Sequence, residues 1–182
     1  MSAALKISKS ESLGLHVNSE TLVHLPLFES LKEAESARRE LTHLIQAREF
    51  ADGTEIIQEE QFGDELHILI SGDVAILKNT PEGDRYRVAV LKTSPDVLAA
   101  HPIFGEANLL DRDKRSATVV ALGPVITWTL SRDRFFDFAQ KFPKEAFPIV
   151  IQVARMVSGR LRKSNEDLML LYNALLSEIR GS

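Results

Sequence analysis

Residues 47–91 read AREFADGTEIIQEEQFGDELHILISGDVAILKNTPEGDRYRVAVL. Apolar and polar residues alternate here in short runs, and Gly53, Gly63, Gly72 and Gly83 interrupt them at roughly ten-residue intervals. A period of two marks half-buried strands, and the evenly spaced glycines mark turns between short antiparallel ones. Asn79 to Arg85, NTPEGDR, has the composition of a hairpin connection. Further on, residues 115–131, RSATVVALGPVITWTLS, supply two more strands split at Gly123-Pro124, with Trp128 as a packing residue. The spacing predicts an eight-stranded antiparallel β-roll or jelly roll.

On both sides of the roll the period becomes helical. Residues 19–45 hold apolar residues at helical spacing, broken at Pro26, with Ser30 as the N-cap of a helix from Leu31 to Ile45. After Ser131, RDRFFDFAQKF is stopped by Pro143, and a long helix follows from near Glu145 to Ile179. The fold class is therefore mainly β with flanking helices (α+β). Three regions are expected: a flexible arm over 1–18, the roll with its flanking helices over 19–143, and a long lid or dimerisation helix over 144–182.

Composition narrows the function. The 182 residues contain no cysteine, which excludes disulfides, thiolate zinc sites and a cysteine nucleophile, and suits the cytoplasm. A net charge of −4 gives no global attraction to nucleic acid or anionic membrane. The N-terminus lacks a signal-peptide core, and no stretch approaches the ~20 apolar residues of a membrane span. The five histidines have no metal-ligand spacing, so no metal is expected. No nucleophile elbow, zinc-protease helix or triphosphate-binding loop is present, and the chain is not read as an enzyme.

Residues 103–121, IFGEANLLDRDKRSATVVA, place a carboxylate, Glu106, and a guanidinium, Arg115, on either side of a short apolar turn. A structural salt bridge inside an empty roll is one reading of that pair. The other comes from the order of elements. With GDELHILISGDVAIL (63–77) as a glycine-framed hairpin and FGEANLLDRDKRSATVVA as a phosphate-binding cassette, the chain resembles a cyclic nucleotide-binding domain of the catabolite-activator type, without its DNA-binding domain.

The resemblance implies a ligand-binding set of Gly105, Glu106, Ala107, Asn108, Arg115, Ser116, Ser164 and Asn165. Arg115 would clamp the cyclic phosphate with its planar fork, aided by backbone N–H groups of a short helix at Glu106 to Leu110. Glu106 would accept the ribose 2′-hydroxyl, and Gly105 would allow close backbone approach. Arg115, Ala117, Val119 and Ala121 would share the inner face of a strand by the period of two. Ser116 adds a donor and favours cyclic AMP over cyclic GMP. Ser164 and Asn165, on SGRLRKSNEDL (158–168), would meet the base. The chain departs from the family at three places: Ala107-Asn108 replaces a bulky residue followed by a small one, Lys114 replaces a frequent proline, and the loop at 92–103 is long and apolar. Asn108 either donates to the phosphate or crowds it.

In the C-terminal helix, Ile151, Ala154, Ser158, Leu161, Asn165, Leu168, Tyr172, Leu175 and Ile179 follow a heptad seam, with polar Asn165 at a core position. It is read as a homodimer seam, the alternative being an amphipathic helix folded back on its own roll. Arg155, Arg160, Arg162 and Lys163 are read as a solvated basic face rather than a DNA footprint. The function expected is a stand-alone cyclic nucleotide receptor that signals through this helix to an unidentified partner protein, without direct DNA binding. The alternative is a ligand-free adaptor on a degenerate form of the same fold.

Overall fold

The structure, a computed structural model, describes residues 16–93 and 101–181. The expected N-terminal arm therefore lies almost wholly outside the described residues, as does most of the loop at 92–103. Helix α1 (Ser19–His24) starts at Asn18, whose side-chain oxygen accepts from the N–H groups of Glu20 and Thr21. The helix ends where Pro26 begins a 3-10 helix (Pro26–Leu31). Ser30 lies inside that 3-10 helix and donates to the Glu145 carbonyl at 3.0 Å, so it ties the N-terminal helices to the C-terminal one instead of capping. Helix α2 (Glu35–Leu44) follows from Ala34.

Six strands form one antiparallel sheet among the described residues: β1 (Gln46–Phe50), β2 (Glu55–Ile57), β3 (Glu65–Asn79), β4 (Arg85–Lys92), β5 (Ile103–Phe104) and β6 (Thr118–Ser131). The order is β1-β6-β3-β4, with β2 also on β6 and β5 on β3. Eight strands were expected, and the difference has a physical cause. Gly123-Pro124 does not divide two strands but lies within β6, and Gly72 lies within β3. The β3–β6 ladder shifts register on either side of Ser71, so each long strand bends through an irregularity and supplies two strand-like halves without a turn. The hairpin at Asn79 to Arg85 joins β3 to β4 as expected, closed by Thr80 and Asp84.

Two apolar clusters lie on opposite faces of this sheet. Leu66, Ile68, Trp128 and Leu130 pack against Leu22, Phe28, Leu31, Leu41, Phe135, Phe138 and Val153 of the helices. Leu69, Val74, Phe104, Val119, Ala121 and Val125 fill the interior of the roll with Ile57. Each fully buried valine, leucine, isoleucine or phenylalanine among them contributes about 1.5–3 kcal/mol relative to exposure. The neighbours Ile68 and Leu69 belong to different clusters because successive side chains of a strand point to opposite faces.

Helix α3 (Ala107–Leu110) is a single turn, α4 (Arg132–Lys141) packs against the N-terminal helices, and α5 (Pro143–Gly181) is continuous for 39 residues. At about 1.5 Å per residue it is about 58 Å long. Ala146, Ile149 and Val153 are buried, whereas Leu168, Met169, Leu170, Leu171, Tyr172, Leu175 and Ile179 are all exposed. Among the described residues, no helix is long and apolar enough to cross a membrane.

Candidate functional site

The single turn α3 follows β5 directly, so the β3–β5 pairing of His67 with Phe104 fixes where Gly105 and Glu106 emerge. His67 stacks on the Phe104 ring, with centroids 5.1 Å apart and planes within 6°, and its Nδ1 lies 3.2 Å from the Thr129 hydroxyl. Burial, with the charges of Arg115 and Arg48 beside it, lowers its pKa to about 3. The ring is neutral and serves as packing.

Arg115 precedes β6 rather than lying on it. Its N–H donates to the Gln61 carbonyl at 2.8 Å and its carbonyl accepts from Glu60 N–H at 2.9 Å, so the 60–62 loop holds it instead of a strand alternation shared with Val119 and Ala121. That loop is strained: Glu60 has φ 65, a left-handed conformation costly for a residue with a Cβ. Its carboxylate pairs with Lys114 at 2.9 Å, which fastens the strained turn to the cassette.

The Arg115 guanidinium is turned inward and the residue is 6% exposed. It donates to three neutral oxygens: the Glu65 carbonyl at 2.9 Å, the Asn108 side-chain oxygen at 3.1 Å and the Gly105 carbonyl at 3.3 Å. None of the ion pairs among the described residues includes it. Burial lowers its pKa, while Glu65, Asp64 and Glu106, near but not bonded to it, act the other way. Two glycines make the berth. A Cβ on Gly63 would overlap the guanidinium, and one on Gly105, where φ is +69, would sit 2.6 Å from Nη1.

Glu106, 3% exposed, does not pair with Arg115. Its partner is Arg160 of α5, at 2.7 Å, which also donates to the Ile103 carbonyl. The alternative reading of the pair, a Glu106–Arg115 salt bridge, does not form, and Arg160, read as part of a solvated basic face, is bonded to the cassette while still half-exposed. Ser116 is exposed at the cassette's end, and Ala107 opens α3. Ser164 and Asn165 lie four and five residues beyond Arg160 on an exposed stretch of α5, outside the cluster that Gly105, Glu106, Asn108 and Arg115 form. Arg160 and the carbonyl of Glu65 carry no signal in the sequence, because neither contact follows from a local motif.

The family model for the cyclic nucleotide-binding domain matches residues 47–142, more than half of the chain. The chain belongs to that family. This cyclic nucleotide-binding domain is 27% identical over 149 residues to a CRP-like cAMP-activated global transcriptional regulator of Mycobacterium tuberculosis, covering 82% of this chain and 61% of the relative. Over 102 residues it is 33% identical to a cAMP-dependent protein kinase regulatory subunit of Mycosarcoma maydis, covering 56% of this chain and 18% of that one. Among solved structures it resembles the Catabolite Activator Protein of Thermus thermophilus, with a TM-score of 0.65 and 27% identity over 80% of this chain and 62% of the other. The domain thus spans about three fifths of the length of the first of these relatives.

Proposed function

We propose that the chain is a regulatory receptor that binds a cyclic mononucleotide, cyclic AMP in preference to cyclic GMP, in the cassette of its roll. The observation that carries this reading is the buried Arg115 guanidinium, surrounded by neutral oxygens and without a bonded carboxylate. A permanent cation held in this way is poorly compensated, and a phosphate monoanion supplies what its surroundings lack. Glu106 takes the ribose 2′-hydroxyl, Ser116 adds a donor, and Ser164 and Asn165 meet the base when α5 closes. Relatives whose names specify cAMP support the choice of nucleotide.

Output passes through α5, which already touches the cassette through Arg160, to a second copy of the chain and to a partner protein. The role is regulatory rather than catalytic, in keeping with the same relatives, and the cysteine-free sequence suits a place in the cytoplasm. Calorimetric titration with cyclic AMP, cyclic GMP and a cyclic dinucleotide, beside Arg115→Ala, tests the reading. Saturable binding lost in the variant supports it, and no binding by folded, nucleotide-free protein overturns it.

A second reading, a ligand-free adaptor, has its own observation. Glu106 and Arg115 both have partners within the chain already, Arg160 and Asn108. The titration separates the two readings.

A further inference from the structure

Asn108 stands where the cassette pattern has a small residue, and it is almost fully buried, at 6% exposure. Its side-chain nitrogen donates to the Asp113 carbonyl at 2.6 Å, which turns its oxygen toward Arg115 Nη1 at 3.1 Å. The carboxamide therefore bridges the two ends of the cassette, and one N–H of the guanidinium is already spent on a neutral oxygen of the same loop. An alanine at this position would leave that N–H for an incoming anion. An aspartate would give Arg115 a permanent ion partner.

We propose that Asn108 is an internal competitor for the ligand's phosphate, and that the exchange of its oxygen for an anionic one sets the affinity of the site. The inference rests on the receptor reading above and adds its regulation. A neutral amide oxygen is a weaker acceptor for a guanidinium than a phosphate oxygen, so the exchange runs toward ligand. It nevertheless subtracts the hydrogen bond that must be broken, and affinity is lower than the same cassette would have without it.

The test is titration of cyclic AMP and of cyclic GMP into the full chain and into Asn108→Ala, Asn108→Ser and Asn108→Asp, each with a thermal melt. Asn108→Ala binds about tenfold tighter than the parent and Asn108→Asp at least about tenfold weaker. In the absence of nucleotide Asn108→Ala melts lower, because a buried guanidinium loses an acceptor. Asn108→Ser, too short to reach Arg115, keeps a polar group and gives the same tightening, and it stands in for Asn108→Ala where that variant folds poorly. Parent protein that binds as tightly as Asn108→Ala and Asn108→Ser, or tighter, overturns the proposal while leaving the receptor reading intact. Failure of both nucleotides to bind the parent and all well-folded variants overturns both.

Discussion

Glu106 is ion-paired to Arg160, fifty-four residues away on the C-terminal helix, and not to Arg115, nine residues away in its own cassette. The carboxylate is buried and the guanidinium half-exposed, so the pair joins the interior of the cassette to the surface of α5. Arg160→Ala leaves Glu106 buried without its cation. Chemical denaturation should show a loss of about 1–2 kcal/mol, held down by solvent screening on the arginine side. Hydrogen exchange should rise along α5 in the same variant, and an unchanged exchange pattern would show that Arg160 does not fasten the helix.

Gly63 and Gly159 predict opposite outcomes for the same substitution. Gly63→Ala drives a methyl into the buried Arg115 guanidinium and displaces it from its acceptors, so nucleotide binding should fall by about tenfold or more and the melt should also fall. Gly159 is helical, and the nearest neighbour to a Cβ there is an Arg162 nitrogen at 3.8 Å. Gly159→Ala should therefore stabilise α5 by up to about 1 kcal/mol. Parallel melts and titrations of the two variants check both.

His67 gives the protein an acid-sensitive core. Its pKa is about 3 when folded, against 6.5 when unfolded, so only the unfolded chain takes up the proton between those values. The stability due to neutral His67 is present above pH 6.5 and is lost as pH falls toward 3, with a slope of up to about 1.4 kcal/mol per pH unit. His67→Phe keeps a ring against Phe104 and removes the proton. Urea melts from pH 7 to 4.5 should show a shallower decline in this variant than in the parent.

Along the heptad seam, the distal half of α5 exposes Leu168 by 64%, Leu175 by 56% and Ile179 by 64%. If this seam pairs two copies, Leu168→Glu with Leu175→Glu places charges at its core positions, and sedimentation should shift from dimer to monomer. The roll should keep its melt, because neither residue belongs to the buried clusters.

The architecture was legible because hydrophobic period is a local property. Alternation with regular glycines marked the roll, and the return to helical spacing at Arg132 marked α4 and α5 within a few residues. The strand count was not legible, since Gly72 and Gly123 look like turn residues whether the chain reverses or merely bends. Ser30 misled for a similar reason: a serine ahead of an apolar run is a cap by pattern, but here its hydroxyl serves a carbonyl 115 residues away. In the cassette, the sequence marked Gly105, Glu106, Asn108 and Arg115, which the fold does gather. It did not tell which of them pair, because the guanidinium chooses among carbonyls, an amide and distant carboxylates that only the folded chain brings into range.

Helix α5 is also a lever. Its first turns are fixed in the core, Arg160 touches the cassette near mid-length, and the remaining stretch to Gly181 runs about 31 Å at about 1.5 Å per residue. A tilt of about 10° about Arg160 would carry the far end sideways by about 5 Å, about half the diameter of a helix. In a heptad seam a sideways displacement of that size draws the distal knobs out of their holes. A rearrangement at Glu106 no larger than the exchange of one ion-pair partner would thus be enlarged, at the other end of the helix, into the parting or closing of the seam.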